Sequence, residues 1–582
     1  MTRRYAVGIV FFAAALFVFI SAGQLQAQAI AGAEPPASFD AMIDKTIARE
    51  NALLTVLQGA HPVAETYIQE MAKDTDFGFV PKTDHYFLGK VDLSKGVATD
   101  SFMPKPGFTA SALAAFTQMF SLRFLPRGFA QMMIMDGNSF DRGHYDFKLI
   151  RREFLGDVRT WVVSVSPKPE AGSGRFNGRI WIEDKGYSIV RFNGTYGGSK
   201  RDNVFLHFDS WRINCGPDLW VPYQIYSEET ELPYDVKLRR HIHYKSMTQL
   251  WGYTQAEQRN TMEFTNMTVD LPSVRDNSAE AADYTPVESL RNWSREAEDN
   301  ILGRLESANL VDPSGPVEKI LDIVVNNILV TNDLHITPDI RTRVMLTTPL
   351  ETFTIGNTIV ISRGLLDTLP DEASLAAILA HEVAHIALGH SVDTKFAFGD
   401  RTNFSDEDIL KKFRFARPQN QEDAANEEAV KLLEKSPYND KLRQAGLFLK
   451  ALGAESNRLP NLIKPLMGSR MAEHSNVLRL AALLETAPEL QRTRPEQVAA
   501  LPLGGRTRLD PWTDELRMSR TRSVPLLSAR EKMPFEVVPV YLHLTYGHEP
   551  ERVAVGSEPA PTPPQEETAP SAPVNSARAR ER

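Results

Sequence analysis

Cysteine is nearly absent: Cys215 is the one thiol in 582 residues. No disulfide can form within the chain, so stability must come from buried cores. An excess of basic charge is also missing. Lys and Arg number 65 against 74 Asp and Glu, and the formal net charge of −9 is scattered along the chain, which argues against a nucleic-acid partner. Apolar runs of membrane-spanning length are lacking after the first 22 residues. The nearest rival, residues 320–330, is interrupted by Asp322, Asn326 and Asn327. No internal repeat is evident. The 42% of apolar residues suffices for two or three cored domains.

The first 29 residues read as a secretion signal. Arg3 and Arg4 precede an apolar stretch over residues 6–22, and Ala27-Gln28-Ala29 is a small-x-small cleavage site. The mature chain is expected to begin near Ile30, with membrane contact only if the signal stays uncleaved. An exported chain without disulfides suits a bacterial periplasm, so the expected location is periplasmic or secreted.

The chemistry concentrates in His381-Glu382-Val383-Ala384-His385. At this composition roughly 0.04 matches to such a pattern arise by chance. The run is helical in character: Pro370 is placed in the first turn, Asp371 and Glu372 suit the positive end of a helix dipole, and residues 373–380 are strong helix formers. Four helical residues turn through about 400°, which leaves His381 and His385 one turn apart and about 40° apart in azimuth, able to reach one ion. Leu375, Leu379, Val383 and Ile386 form an apolar stripe on the opposite side, so one face is expected to pack and the other to bind. Two neutral imidazoles with an adjacent carboxylate are what a catalytic zinc site requires, and Glu382 is the candidate general base.

A third ligand is needed. His390 lies nine residues after His381, about 180° around the helix, and cannot join the same ion while the helix continues. It is expected to pack or to cap the helix end. Glu422 is the better candidate. On a helix it shares a face with Asn426, Ala429 and Leu433, so it can reach an ion while the residues below it pack. Glu427 and Glu428 point elsewhere.

With these residues in view, the chain resembles the HtpX and CAAX prenyl-protease family of zinc metallopeptidases, whose soluble bacterial members work in the periplasm. The family pattern is His-Glu-x-x-His with a further His five residues on, preceded by a strand and a Gly-Leu-Leu turn and followed by a Glu-x-Glu-Ala-Asp helix. Residues 358–362 with Arg363-Gly364-Leu365-Leu366 match the approach, His381, Glu382, His385 and His390 the core, and Glu422 the ligand on the later helix. The resemblance covers residues 316–485. Two positions depart from it: Ala424 stands for the second Glu, and Asn426 for the Asp, where an Asn adds no negative charge near a ligand. The family's Thr-His-Pro segment corresponds to Glu473-His474-Ser475, with Arg479 close behind. The resemblance implies that His474 stabilises the tetrahedral oxyanion or blocks the ion at rest, and that residues 358–362 form an edge strand to which extended substrate adds.

Residues 76–285 read as an antiparallel β-rich domain. Residues 160–165, 178–183, 188–192 and 204–208 are short, alternating and punctuated by turn residues. The run from Gly178 to Phe192 resembles the curved half-barrel of periplasmic lipoprotein carriers, which implies a groove for acyl chains or apolar polypeptide. His241-Ile242-His243 puts two imidazoles on one side of a strand. With Arg239, Arg240 and Lys245 around it, it reads as an exposed cationic strand and not a second metal site.

The expected architecture is α+β and multidomain. Residues 30–75 form an N-terminal helical segment, 76–285 the β-rich domain, and 286–315 a connector helix. Residues 316–490 form a mainly helical zincin metallopeptidase domain with a small edge sheet, 491–552 an extension wrapping it, and 553–582 a disordered Pro-, Ala-, Ser- and Glu-rich tail. The expected activity is a zinc endopeptidase, one Zn2+ per chain, whose partners are polypeptides such as unfolded envelope proteins. The rival is a chaperone-like or lipoprotein-binding protein with a latent metal site.

Overall fold

The computed structural model describes residues 38–92, 98–101, 132–135, 139–172, 175–196, 207–216, 218–235, 240–253, 286–390, 412–491, 493–494, 503–519 and 535–547. The signal at 1–29, residues 204–206 of the strand expected at 204–208, and the tail expected at 553–582 lie outside them. The architecture is α+β, with a large antiparallel sheet first and helices with small sheets after it. No helix among the described residues is long and apolar enough to cross a membrane.

Helix α1 (Phe39–Leu57) is capped by Ser38, whose hydroxyl accepts from the Ala41 amide at 3.2 Å. Ten strands follow: β1 (Val63–Asp74), β2 (Gly78–Asp92), β3 (Ala98–Ser101), β4 (Tyr145–Leu155), β5 (Val158–Pro167), β6 (Phe176–Glu183), β7 (Ile189–Tyr196), β8 (His207–Gly216), β9 (Leu219–Asp235) and β10 (Arg240–Trp251). They form one sheet in the order β3-β2-β1-β10-β9-β8-β7-β6-β5-β4. The expected meander is present over β4 to β10, and the β1–β10 pair joins β1, β2 and β3 to it.

Two expectations change here. The helical segment placed at 30–75 stops at Leu57, and Val63 begins a sheet strand. Strand β1 is buried on both faces: Val63 and Tyr67 pack toward the helical half, while Ile68 packs toward α1. Two-sided burial removes the alternation by which a strand is read. The strand with His241 and His243, expected to be exposed and cationic, is β10, which lies inside the sheet between β1 and β9. His243 is buried against the Phe79 ring, 4.1 Å between centroids, with Nε2 3.4 Å from Glu228.

Helix α2 (Pro286–Ser307) connects to the second half, which opens with α3 (Pro316–Thr331). A three-stranded sheet follows, β11 (Arg341–Met345), β12 (Thr352–Ile355) and β13 (Thr358–Ser362), in the order β11-β13-β12. Then come α4 (Arg363–Thr368), α5 (Glu372–Ala387), α6 (Gln419–Glu434) and α7 (Leu442–Glu455). At the β13–α4 junction a Cβ on Gly364 would run into the Thr348 carbonyl, so only glycine permits that turn.

The two halves are joined by buried carboxylates. Glu65 on β1 accepts from Arg363 at 2.6 Å, from the Thr348 hydroxyl at 2.7 Å and from the Tyr86 hydroxyl at 2.8 Å. Asp84 on β2 accepts from the amides of Asn461 at 2.9 Å and Leu462 at 2.8 Å, and from the Tyr67 hydroxyl at 3.0 Å. Removing such an acceptor strands several buried donors. Asp84→Ala is expected to cost about 2–3 kcal/mol in urea unfolding; a change within the scatter of surface substitutions would show that this junction contributes nothing. The described parts of the C-terminal extension touch both halves. Gln69 donates to the Phe535 carbonyl and accepts from the Val537 amide, Thr507 donates to Asp367, and Leu544 bridges Gly156.

Candidate metal centre

Helix α5 is the central element of the second half. Asp371 is its N-cap, accepting from the Ser374 amide at 2.8 Å, so Pro370 precedes the helix and is not its first turn. From Ala373 to His385 every residue except Leu375 is buried. Neighbouring helices and β12 surround α5, and the expected division into a packed face and a binding face gives way to a helix enclosed nearly all round. Burial makes its three ionisable groups costly unless each has a partner.

The partners come from three segments. Glu422, in the first turn of α6, brings Oε2 to 3.2 Å from His381 Nε2, and Oε1 lies 3.7 Å from His385 Nε2. The two imidazole Nε2 atoms are 3.2 Å apart. The donor atoms of His381, His385 and Glu422 thus lie within 4.8 Å of one another, and all three residues are buried. Glu422 reaches this point because Ala425, Ala429 and Leu433 pack the same side of α6.

The donor set fits a divalent cation. Glu422 Oε1 is buried and accepts no hydrogen bond, an arrangement that is costly without a positive partner. Burial and the neighbouring His381 push the His385 imidazole down to about 2, and burial with the Arg479 charge pushes His381 down as well. Burial alone would raise the Glu422 carboxyl, but the hydrogen bond from His381 and the Arg479 charge hold it well below the usual range. Two neutral imidazoles and one carboxylate are the protonation states a metal requires.

The end of α5 explains His390. Gly389 adopts φ 69°, its amide donates to Ile386 at 2.9 Å, and the His390 amide donates to His385 at 3.1 Å, a Schellman closure. The chain then turns the His390 ring back onto His385, with the two Nδ1 atoms 2.8 Å apart. A proton donated by His385 Nδ1 leaves its Nε2 lone pair facing the cluster. His390 is therefore a supporting residue as well as a cap, which a continuous helical wheel does not reveal. His390→Ala is expected to weaken metal affinity by about 10–100-fold, measured by competition with a chelator; an unchanged affinity would remove this role.

Arg479 is the principal residue that sequence reasoning left without a role. Its guanidinium is buried, donates to Glu382 at 2.9 Å and to Glu422 at 3.2 Å, and reaches the Thr352 carbonyl of β12 at 3.3 Å. It stands two residues beyond a hairpin of β14 (Ala472–Glu473) and β15 (Asn476–Val477), whose turn, His474-Ser475, has φ 51° and 66°. Asn426 clamps the segment, accepting from the Leu480 amide at 2.8 Å and donating to the Leu478 carbonyl at 3.2 Å. An Asp in that position has no proton to give Leu478, so the departure at Asn426 bears on Arg479 and not on a ligand.

His474 does not join the cluster. Its ring is 81% exposed at the hairpin tip, 4.0 Å from Glu473. The expectation that it faces the oxyanion or the ion is not met, because the two-residue turn points it outward. The edge-strand expectation changes too: residues 358–362 are β13, the middle strand, paired with β11 and β12. The edge beside the cluster is β12, whose Thr354 hydroxyl accepts from Arg417 at 2.8 Å.

Beside Glu422 opens a cleft of about 400 Å³, with walls from residues 414–419 and 464–470 and from Tyr86 of β2. Glu351 holds one wall, its buried Oε2 accepting from the amides of Met467 at 2.9 Å and Gly468 at 3.0 Å. Asp84 holds the start of the same wall through Asn461 and Leu462. The first half of the chain therefore contributes directly to the cleft.

Residues 336–402 match the model of peptidase family M48, which supports a metallopeptidase of that family. No curated protein matches the chain. Among solved structures, a LolA superfamily protein from Nitrosomonas europaea aligns with 38% of this chain and 93% of its own, at 11% identity and a TM-score of 0.18. A DUF1329 family protein from Desulfovibrio piger aligns with 37% of this chain and 92% of its own, at 9% identity and a TM-score of 0.17.

Proposed function

We propose that the protein is a zinc-dependent endopeptidase of the cell envelope, hydrolysing peptide bonds in unfolded or misassembled proteins. The observation that carries this reading is the buried convergence of His381, His385 and Glu422 with Glu382 one residue from the first of them. The match of residues 336–402 to a metallopeptidase family supports it. His381, His385 and Glu422 would hold one zinc ion, and the helical half is read as a zincin domain. Zinc in such a set supplies Lewis acidity and makes water a nucleophile near neutral pH.

The residues of the chain divide the remaining work. Glu382 takes the proton of the attacking water and passes it to the leaving amine, so the C–N bond breaks as an N–H bond forms. Arg479 fixes the Glu382 carboxylate through its 2.9 Å bond and ties it to Glu422. His390 orients His385. Strand β12 is the place for an extended substrate to pair, a mode that tolerates many sequences because main-chain groups make the contacts. The signal-like N-terminus is the basis for the envelope location.

Chelation is expected to stop digestion of an unfolded protein substrate, and one equivalent of zinc to restore it. Digestion that continues in a preparation shown by elemental analysis to hold no metal would overturn the reading.

A further inference from the structure

The cleft beside Glu422 has a charge at odds with the rest of the molecule. The chain carries a formal net charge of −9, yet Arg414, Arg417, Lys464 and Arg470 all line this cleft, and Glu422 is the one acidic residue among its lining. The Glu422 charge already faces His381 and Arg479. Arg414, Lys464 and Arg470 are exposed, and Lys464 and Arg470 continue into an adjoining cavity of about 310 Å³ that also holds His474 and Glu473. Glu473 pairs with Arg470. Arg417 is the innermost of the four. It is half-buried, hydrogen-bonded to Thr354 on β12, and its charge acts on both Glu382 and Glu422. The cations thus run from the candidate centre outward on two walls of the cleft, Arg414 and Arg417 on one and Lys464 and Arg470 on the other.

The second of these walls is held rigidly. Glu351 binds the Met467 and Gly468 amides and Asp84 the Asn461 and Leu462 amides, so the stretch bearing Lys464 is tied on both sides and Arg470 follows two residues after the second tie. Like charges gathered along one cleft repel each other, and a bound anion relieves that repulsion. Arginine adds a fork that matches a carboxylate.

We propose that this cleft recognises a carboxylate-bearing stretch of the polypeptide substrate, adjoining the bond that is cut. The proposal rests on the peptidase reading of the neighbouring centre. The carboxylates come from Asp and Glu side chains or from a free C-terminus, and the two sources are separable by experiment. His474 gains a part here as a lining group of the outer cavity, away from the reacting atoms.

The test is a binding measurement on zinc-loaded Glu382→Gln protein, by fluorescence anisotropy of labelled peptides. One peptide carries Asp and Glu; its partner carries Asn and Gln at the same positions. Each is made with a free and an amidated C-terminus. The acidic peptide is expected to bind about tenfold tighter at low ionic strength, and to lose most of that advantage at about 0.5 M salt. The advantage is expected to vanish in Lys464→Glu/Arg414→Glu, and to fall partly in Lys464→Gln, a conservative change at an exposed position. An advantage of the acidic peptide that survives amidation assigns the carboxylates to side chains, and a loss of affinity on amidation shared by the acidic and neutral peptides assigns them to the C-terminus. Equal affinity for acidic and neutral peptides that amidation leaves unchanged overturns the proposal, as does a preference left intact by the charge reversal. Because the readout is binding, absence of proteolysis in the wild type would strike the peptidase reading and leave this result to be judged separately.

Discussion

Glu382→Gln is expected to lower peptide hydrolysis by about 10³-fold while leaving one metal ion per chain. The amide keeps the size of the side chain and can still accept from Arg479, now bonded to the carboxylate at 2.9 Å. It cannot take a proton. Glu382 is not among the converging donor atoms, so metal content should be preserved, and elemental analysis beside a proteolysis assay separates the two effects. Hydrolysis by Glu382→Gln at the wild-type rate would exclude the carboxylate as base. A wild type that binds zinc, cleaves nothing and suppresses aggregation equally well as the variant would favour the binding-protein rival.

The second large effect is expected at Arg479. Its guanidinium is buried between Glu382 and Glu422, and its replacement by Ala leaves two buried carboxylates facing a lost charge. Breaking a buried ionic cluster in this way costs about 3–5 kcal/mol. A bound divalent ion supplies part of the missing charge, so the loss should be larger without metal than with it. Thermal unfolding of Arg479→Ala and wild type, each with and without zinc, reads this directly. Arg479→Lys should recover only part, because a single ammonium cannot span both carboxylates and the Thr352 carbonyl. Equal unfolding temperatures for wild type and Arg479→Ala in the absence of metal would dismiss the ionic cluster.

Legibility in the sequence followed local periodicity. The His381–His385 pair was readable because four residues of helix fix the relation of two side chains regardless of the surroundings. Glu422 was readable from the face of its own helix that it shares with Asn426, Ala429 and Leu433, of which Ala429 and Leu433 are buried. The strands of the sheet's outer half showed alternation and turn residues. Strand β1 did not, because it is sandwiched between α1 and the helical half. Arg479 and Arg417 gave no periodic signal, being placed by a hairpin and by a cap segment whose positions depend on distant contacts. The turn His474-Ser475 lacks the Asn-Gly type of signature that marks a two-residue hairpin, so the outward swing of His474 was hidden too.

By itself the sequence determined an α+β chain with a helical His-Glu-x-x-His pair and a carboxylate on a later helix, because these follow from the pitch of a helix and the order of short strands. Tertiary structure alone decided that β12 and not β13 lies at an edge of its sheet, that His390 folds back on His385, that Arg479 spans two carboxylates, and that Asp84 and Glu351 hold a cationic wall beside the centre. Those relations join residues separated by up to several hundred positions, and no local propensity encodes a contact whose partners meet only after the cores have formed.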